Sequence, residues 1–224
     1  MAFIETIAPA HAGGEVREMY ARQQGKYGYV PNYARVFSHR PAIMTLWAKL
    51  LSGIKRPMDP VRFELVTFAV AHELGNSACA LAHGRALTDF FSEEEILAIA
   101  GDTDNSPLDD TNRAIIGYAR KLARDASAID ADDIVPLKAA GLDDGDIFDI
   151  AAAAAARAFF TKLLDGLGVA PDFACWRMAE NFRQALTVGR AISTEPDETL
   201  TPDPETDKSI HGHQCRTIQQ RGLS

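Results

Sequence analysis

Recurrent helix punctuation limits most tightly what this chain can fold into. Asp59-Pro60 pairs an N-cap with a first-turn proline, Ser92-Glu93-Glu94-Glu95 has the form of a capping box, and Gly28, Gly75 and Gly141 stand where helical stretches should stop. Between these marks the apolar residues recur at helical spacing, as in Phe63, Val66, Thr67 and Val70, or Ile115, Ile116, Ala119 and Leu122. Strand signals are scarce. Helices are expected over residues 15–27, 41–52, 60–74, 77–90, 96–100, 109–124, 130–140, 143–167 and 171–191. Residues 28–32 form a loop, because the residue before Pro31 is pushed out of the helical region. The expected fold is therefore all-α. Residues 1–192 form a single helical domain. Residues 193–224 form a flexible, acidic and polar tail, since 195–207 carries three prolines and six acids and little aliphatic periodicity follows.

Composition sets further bounds. With 224 residues, 46% of them apolar and 24% charged, the chain can bury a sizeable core without disulfides or metals. A formal charge of −8 repels phosphate backbones, so no nucleic-acid partner is expected. The greasiest stretch, residues 150–160, is short and contains Arg157, so no membrane span is expected. Residues 1–15 have neither a basic n-region nor an apolar h-region, so no secretory signal is expected. Three widely spaced cysteines, Cys79, Cys175 and Cys215, point to a reducing compartment and a cytoplasmic location. Residues 143–167 are alanine-rich and apolar on most faces, which suits a helix buried in the core or between subunits.

Four residues carry the candidate chemistry: Glu64, Asn76, Cys79 and His83. Cys79 and His83 are four apart and share one helix face. A cap at Asn76 or Ser77 puts Cys79 in the first turn, where the helix N-terminus favours a thiolate. His83 can take the thiol proton, and Glu64, on the preceding helix, can orient the imidazole if the two helices pack antiparallel. The dipole and the imidazole are expected to outweigh burial among Ala78, Ala80 and Ala82, and to hold the thiol below its free pKa of about 8.5. Asn76 is expected to cap the helix through the backbone N–H of Cys79. Taken alone, Cys79 among alanines would be a packed small residue. Its place in the pattern argues otherwise.

The rest of the chemistry-bearing residues are given plainer roles. His72 and Glu73 are expected at a solvated helix end, Cys175 as a buried structural thiol beside Trp176, and Trp47, Phe159 and Phe160 in the core or an interface. His211, His213 and Cys215 are incidental to a tail without a fourth ligand, so no metal or cofactor is expected.

The same four residues carry a family resemblance. Glu64-x11-Asn76-x2-Cys79-x3-His83 resembles the Glu-x11-Cys-x2-Cys-x3-His pattern of the alkylhydroperoxidase D-like / carboxymuconolactone decarboxylase family, with Asn76 in place of the first cysteine. Residues 28–32 (Gly-Tyr-Val-Pro-Asn), Glu64-Leu65-Val66-Thr67, Gly141-Leu142 and Asp165-Gly166-Leu167-Gly168 look like the peroxidase-related branch. The resemblance runs from about Val16 to Gly168. It implies a compact helical bundle of two pseudo-repeated halves, assembled as a homo-oligomer, a trimer or a hexamer. It also implies a thiol-dependent peroxidase in which Cys79 reacts with a small hydroperoxide and His83 and Glu64 form the proton relay. With Asn76 at the resolving position, an oxidised Cys79 would need Cys175, Cys215 or an external thiol reductant. The other branch of the family implies cofactor-free decarboxylation of a small lactone acid, with Arg62 or Arg85 holding its carboxylate. A non-enzymatic oligomer with a vestigial site is the third possibility.

Overall fold

The computed structural model describes residues 2–101, 103 and 106–200, and every regular element among them is helical. Among the described residues, ten α-helices follow in chain order. They are α1 (Gly14–Tyr27), α2 (Asn32–Val36), α3 (Pro41–Lys55), α4 (Pro60–Glu73), α5 (Ser77–Leu87), α6 (Glu93–Gly101), α7 (Asp110–Asp125), α8 (Ala131–Ala139), α9 (Asp144–Gly166) and α10 (Glu180–Leu186). The local signals explain most boundaries. The Asp59 carboxylate accepts the Arg62 N–H at 3.0 Å, and Ser92 and Glu95 exchange reciprocal bonds at the start of α6. Asp130 with Asp133, and Asp143 with Asp146, form capping boxes that start α8 and α9. Gly28 and Gly141 take left-handed φ angles of 83° and 85° where α1 and α8 stop.

The centre of the bundle is α4. Nine consecutive residues, from Phe63 to Ala71, are buried, and they include Glu64. A helix buried on all faces has no solvent stripe, and α4 accordingly packs against α5, α7 and α9 at once. Two helix pairs, α4–α5 and α7–α9, meet through α4 and give the bundle its pseudo-repeated halves. The α3 helix covers α9, and α10 lies against α5 and α6. Three apolar clusters fill the space. One gathers Met19, Tyr20, Trp47, Cys79 and Phe160. A second lies under α7, α8 and the first half of α9. A third, around Phe68, Leu81 and Phe182, packs against Cys175.

The long alanine-rich helix is partly a core helix. Ala153, Ala154, Ala156, Arg157 and Phe160 are buried, while Ala155 and Phe159 are exposed. The expected helix over 171–191 is two elements. A 3-10 turn, Phe173–Arg177, precedes extended backbone at Met178, and only then does α10 begin. The reason is tertiary capping. The Asp197 carboxylate accepts the N–H groups of Phe173 and Ala174 at 2.9 and 2.8 Å, and the Arg183 guanidinium donates to the carbonyls of Trp176 and Met178. Residues 193–200 run against the helices: Val30 N donates to Glu198 O at 2.9 Å, Arg35 pairs with Glu198 at 2.7 Å, and Leu200 N donates to Gln24. The rest of the expected tail, with His211, His213 and Cys215, lies outside the described residues. Among the described residues no helix is long and apolar enough to cross a membrane.

Candidate active site

The turn between α4 and α5 builds the site. Gly75 sits at φ 70°, the Gly75 N–H donates to His72 O at 3.0 Å, and the Asn76 N–H donates to Ala71 O at 2.9 Å. This pair of bonds is the Schellman arrangement. It closes α4 and reverses the chain within three residues. Asn76 then caps α5, its Oδ1 accepting the Cys79 N–H at 2.8 Å. The Asn76 amide also donates to Thr161 O of α9 at 3.5 Å, so the cap ties α5 to the helix that carries Arg157. Cys79 therefore lies in the first turn of α5, buried, with 5% of its surface exposed.

The antiparallel packing of α4 on α5 brings Glu64 to His83. Glu64 Oε2 lies 2.7 Å from His83 Nδ1, and Thr67 Oγ1 lies 3.2 Å from the same nitrogen. The Thr67 hydroxyl donates to Phe63 O at 2.9 Å, so it accepts from the ring, and the Nδ1 proton points at both oxygens. That fixes the tautomer and leaves Nε2 as the basic nitrogen. Lys55, from the last turn of α3, donates to Glu64 Oε1 at 3.1 Å. Burial would raise the Glu64 carboxyl, but the hydrogen bonds and charges of His83 and Lys55 outweigh it and hold it at about 2. Burial first, and the Arg157 charge second, push His83 down to about 4 against the pull of Glu64. At neutral pH the pair is a neutral imidazole on an ionised carboxylate.

Cys79 does not partner His83. No hydrogen bond joins them among the described residues. The Cys79 sulfur accepts instead from Arg157 Nη1, at 3.6 Å. Nor does the expected depression of the thiol pKa hold. Burial pushes Cys79 up, and the charge and hydrogen bond of Arg157 lower it without overcoming that push. The helix end is covered by α9 and the segment after α10, and the cost of desolvating a thiolate there exceeds what the helix end and Arg157 return.

Arg157 was visible in the sequence only as a charge interrupting a greasy run. It is 4% exposed, lies over the Phe160 ring at 5.5 Å, and forms no ion pair among the described residues. Its Nε–H has no hydrogen-bond partner among them. Arg85 is exposed and acts electrostatically on Cys175, whose thiol burial and the charges of Asp172 and Asp197 drive up to about 12. Arg62 lies in the first turn of α4, half-buried. Both Cys79 and Cys175 are free thiols, and they belong to different apolar clusters. Among the described residues no cluster of His, Cys, Asp and Glu could hold a metal.

Solved structures share this fold. An alkylhydroperoxidase AhpD core, an uncharacterized peroxidase-related protein from Ralstonia eutropha, superposes with a TM-score of 0.68 at 19% identity, over 84% of this chain and 98% of that one. An uncharacterized peroxidase-related protein from Silicibacter follows at 0.63 and 20% identity, over 71% and 86%. A protein of unknown function from Agrobacterium tumefaciens matches at 0.51 and 18%, over 59% and 92%. No protein-family model matches the chain, and no curated protein matches it. The chain has the alkylhydroperoxidase D-like helical fold.

Proposed function

We propose that this protein is a thiol-dependent peroxidase in which Cys79 attacks a small hydroperoxide and His83, held by Glu64, handles the proton. The observation that carries this reading is the oriented pair: a buried carboxylate 2.7 Å from a neutral imidazole, one helical turn from a cysteine in the first turn of the same helix. Two solved proteins of the same fold are named as peroxidase-related, which agrees with it. His83 Nε2 accepts the thiol proton through the bound hydroperoxide, the thiolate sulfur attacks the terminal oxygen, and the departing alkoxide takes the proton back. Asn76 positions the thiol and cannot resolve the oxidised sulfur. Cys175 packs in another cluster, which leaves Cys215 or an external thiol to return the oxidised sulfur, and the external thiol is the reductant of this reading.

A second reading is favoured by one observation. A buried Arg157 with no ion pair among the described residues suits a substrate carboxylate, as decarboxylation of a lactone acid would need. One experiment separates the two. Purified protein is given cumene hydroperoxide with and without a small dithiol, and separately a carboxylated lactone with no thiol. Peroxide loss that depends on the dithiol is the expected result. Lactone turnover without peroxide loss would replace the first reading with the second, and inertness towards both would leave a non-enzymatic helical protein.

Assembly as a homo-oligomer, a trimer or a hexamer, belongs to the same proposal. Ile43, Leu46 and Leu50 form an exposed apolar stripe on one face of α3, and exposed Phe159 packs at a tilt against Trp47, with ring centroids 5.7 Å apart. Contiguous apolar surface of this kind marks an interface. Light scattering at micromolar concentration is expected to give a multiple of the 24.3 kDa chain mass, and Leu46→Glu to reduce it. A monomer for the unaltered chain defeats the assembly.

A further inference from the structure

The guanidinium of Arg157 stands out because, among the described residues, no ion pair balances its charge. Desolvating a cation without a partner is costly, and buried arginines are ordinarily paired with carboxylates. The carboxylates near this one are engaged elsewhere. Glu64 is bonded to His83 and Lys55. Asp165, two turns along the same helix, is pushed up by burial, which Asn76 and Arg190 offset only in part. What Arg157 does touch is the Cys79 sulfur, through Nη1 at 3.6 Å. A neutral thiol is a poor acceptor for a guanidinium. A sulfur anion is a good one.

We propose that Arg157 is a catalytic residue whose guanidinium serves as counterion to Cys79, holding first the thiolate and then the sulfenate left by oxygen transfer. This deepens the peroxidase reading and rests on it. In the first step the Cys79 S–H bond breaks, and its proton passes through the bound hydroperoxide to His83 Nε2. The thiolate then forms an S–O bond with the terminal oxygen of ROOH as the O–O bond breaks. Sulfur is oxidised by two electrons, and RO− leaves as ROH with the proton from His83. The product Cys79–SOH gives its proton to His83 Nε2, neutral again after releasing ROH, to leave Cys79–SO− paired with Arg157. His83 returns that proton when the sulfenate oxygen departs as water. Two equivalents of an external thiol then return it: the first forms a mixed disulfide and releases water, and the second releases the disulfide and restores Cys79–SH.

The surrounding residues make such a counterion necessary. A second cysteine at position 76 would trap the sulfenic acid at once, but Asn76 stands there and is occupied as a cap. The oxidised sulfur must therefore persist until a thiol arrives, at a site where 5% of the residue is exposed and solvent cannot stabilise an anion. Around Cys79, Arg157 supplies the stabilising charge and Asp165 opposes it, while His83 is neutral at neutral pH. Arg157 is held in place by the Phe160 ring, which in turn stacks on Trp47 at 5.0 Å.

The test uses the full chain with Cys175→Ser and Cys215→Ser, so that Cys79 is the one thiol, carrying Arg157, Arg157→Lys or Arg157→Met. The first reading is the pH dependence of iodoacetamide alkylation. Arg157→Met is expected to move its midpoint upward by about one pH unit or more, and Arg157→Lys by less, because lysine keeps the charge. The second reading is dimedone capture after one equivalent of hydrogen peroxide, followed by intact mass. Arg157→Met is expected to shorten the life of the captured form about tenfold, as fits the loss of a charge-assisted bond to the anion. A buried Arg157 that served only packing would change neither reading. If Cys79 gains one oxygen equally well, with the same lifetime and the same alkylation midpoint, in all three proteins, the role of Arg157 is wrong while the peroxidase reading stands. If the Arg157-containing protein gains no oxygen at all, both fall. Should Arg157→Met fail to fold, as judged by circular dichroism, Arg157→Lys alone decides: an unchanged midpoint with an unchanged lifetime overturns the proposal.

Discussion

Cys79→Ser is expected to lose thiol-dependent turnover of cumene hydroperoxide by about a thousandfold or more, as removal of an attacking nucleophile does elsewhere. Serine keeps the size and fits the buried site, where Cys79 is 5% exposed, so the fold should survive. It cannot keep the chemistry, because a hydroxyl is neither ionised near neutral pH nor polarisable enough to attack a peroxide oxygen. The control is Cys175→Ser. That thiol sits in the 3-10 turn before α10, and burial together with Asp172 and Asp197 drives it up to about 12, so it carries no thiolate at neutral pH. Turnover by Cys175→Ser should stay within about twofold of the unaltered chain. Turnover that survives in Cys79→Ser and disappears in Cys175→Ser would move the reaction to another part of the molecule and remove the role assigned to Glu64 and His83.

The parts of this molecule that sequence makes legible are those whose causes are local. The stop at Gly75, the Asn76 cap and the first-turn place of Cys79 depend on residues within five positions of one another, and each is present as expected. Bringing Glu64 to His83 needs only that two consecutive helices joined by a tight turn pack antiparallel. Arg157 and Lys55 were not legible. Each reaches the site from a helix whose position is set by tertiary packing, and Arg157 lies 78 residues from the sulfur it touches. The helix expected over 171–191 failed for the same reason, since Asp197 caps Phe173 from 24 residues downstream. The thiol's pKa was misjudged because its sign depends on a contest. The helix end and a nearby imidazole can be inferred from spacing, but burial under α9 cannot.

Acid should loosen this fold through His83 before it affects Glu64. The His83 ring has a folded pKa of about 4, below the ordinary 6.5, because burial and Arg157 oppose its charge. As pH falls from 6.5 to 4, the unfolded chain binds a proton that the folded one refuses, so unfolding becomes easier. The whole displacement corresponds to at most about 3 kcal/mol, a sizeable part of the stability of a typical domain. Glu64, folded at about 2 against an ordinary 4.5, adds stability that is complete above 4.5 and is lost as pH falls toward 2. Its loss belongs to a lower window. His72 is also lowered, by burial and then by Arg120, so the unaltered chain alone cannot assign the upper window to one ring. The comparison with His83→Asn can. Asparagine still offers an N–H to Glu64 but does not titrate, so its urea midpoint should fall less steeply between pH 6.5 and 4 than that of the unaltered chain. Parallel curves for the two proteins across that window would mean that His83 binds its proton as readily in the fold as outside it. The ring would then titrate near its ordinary 6.5, and burial and the Arg157 charge would not be opposing its charged form.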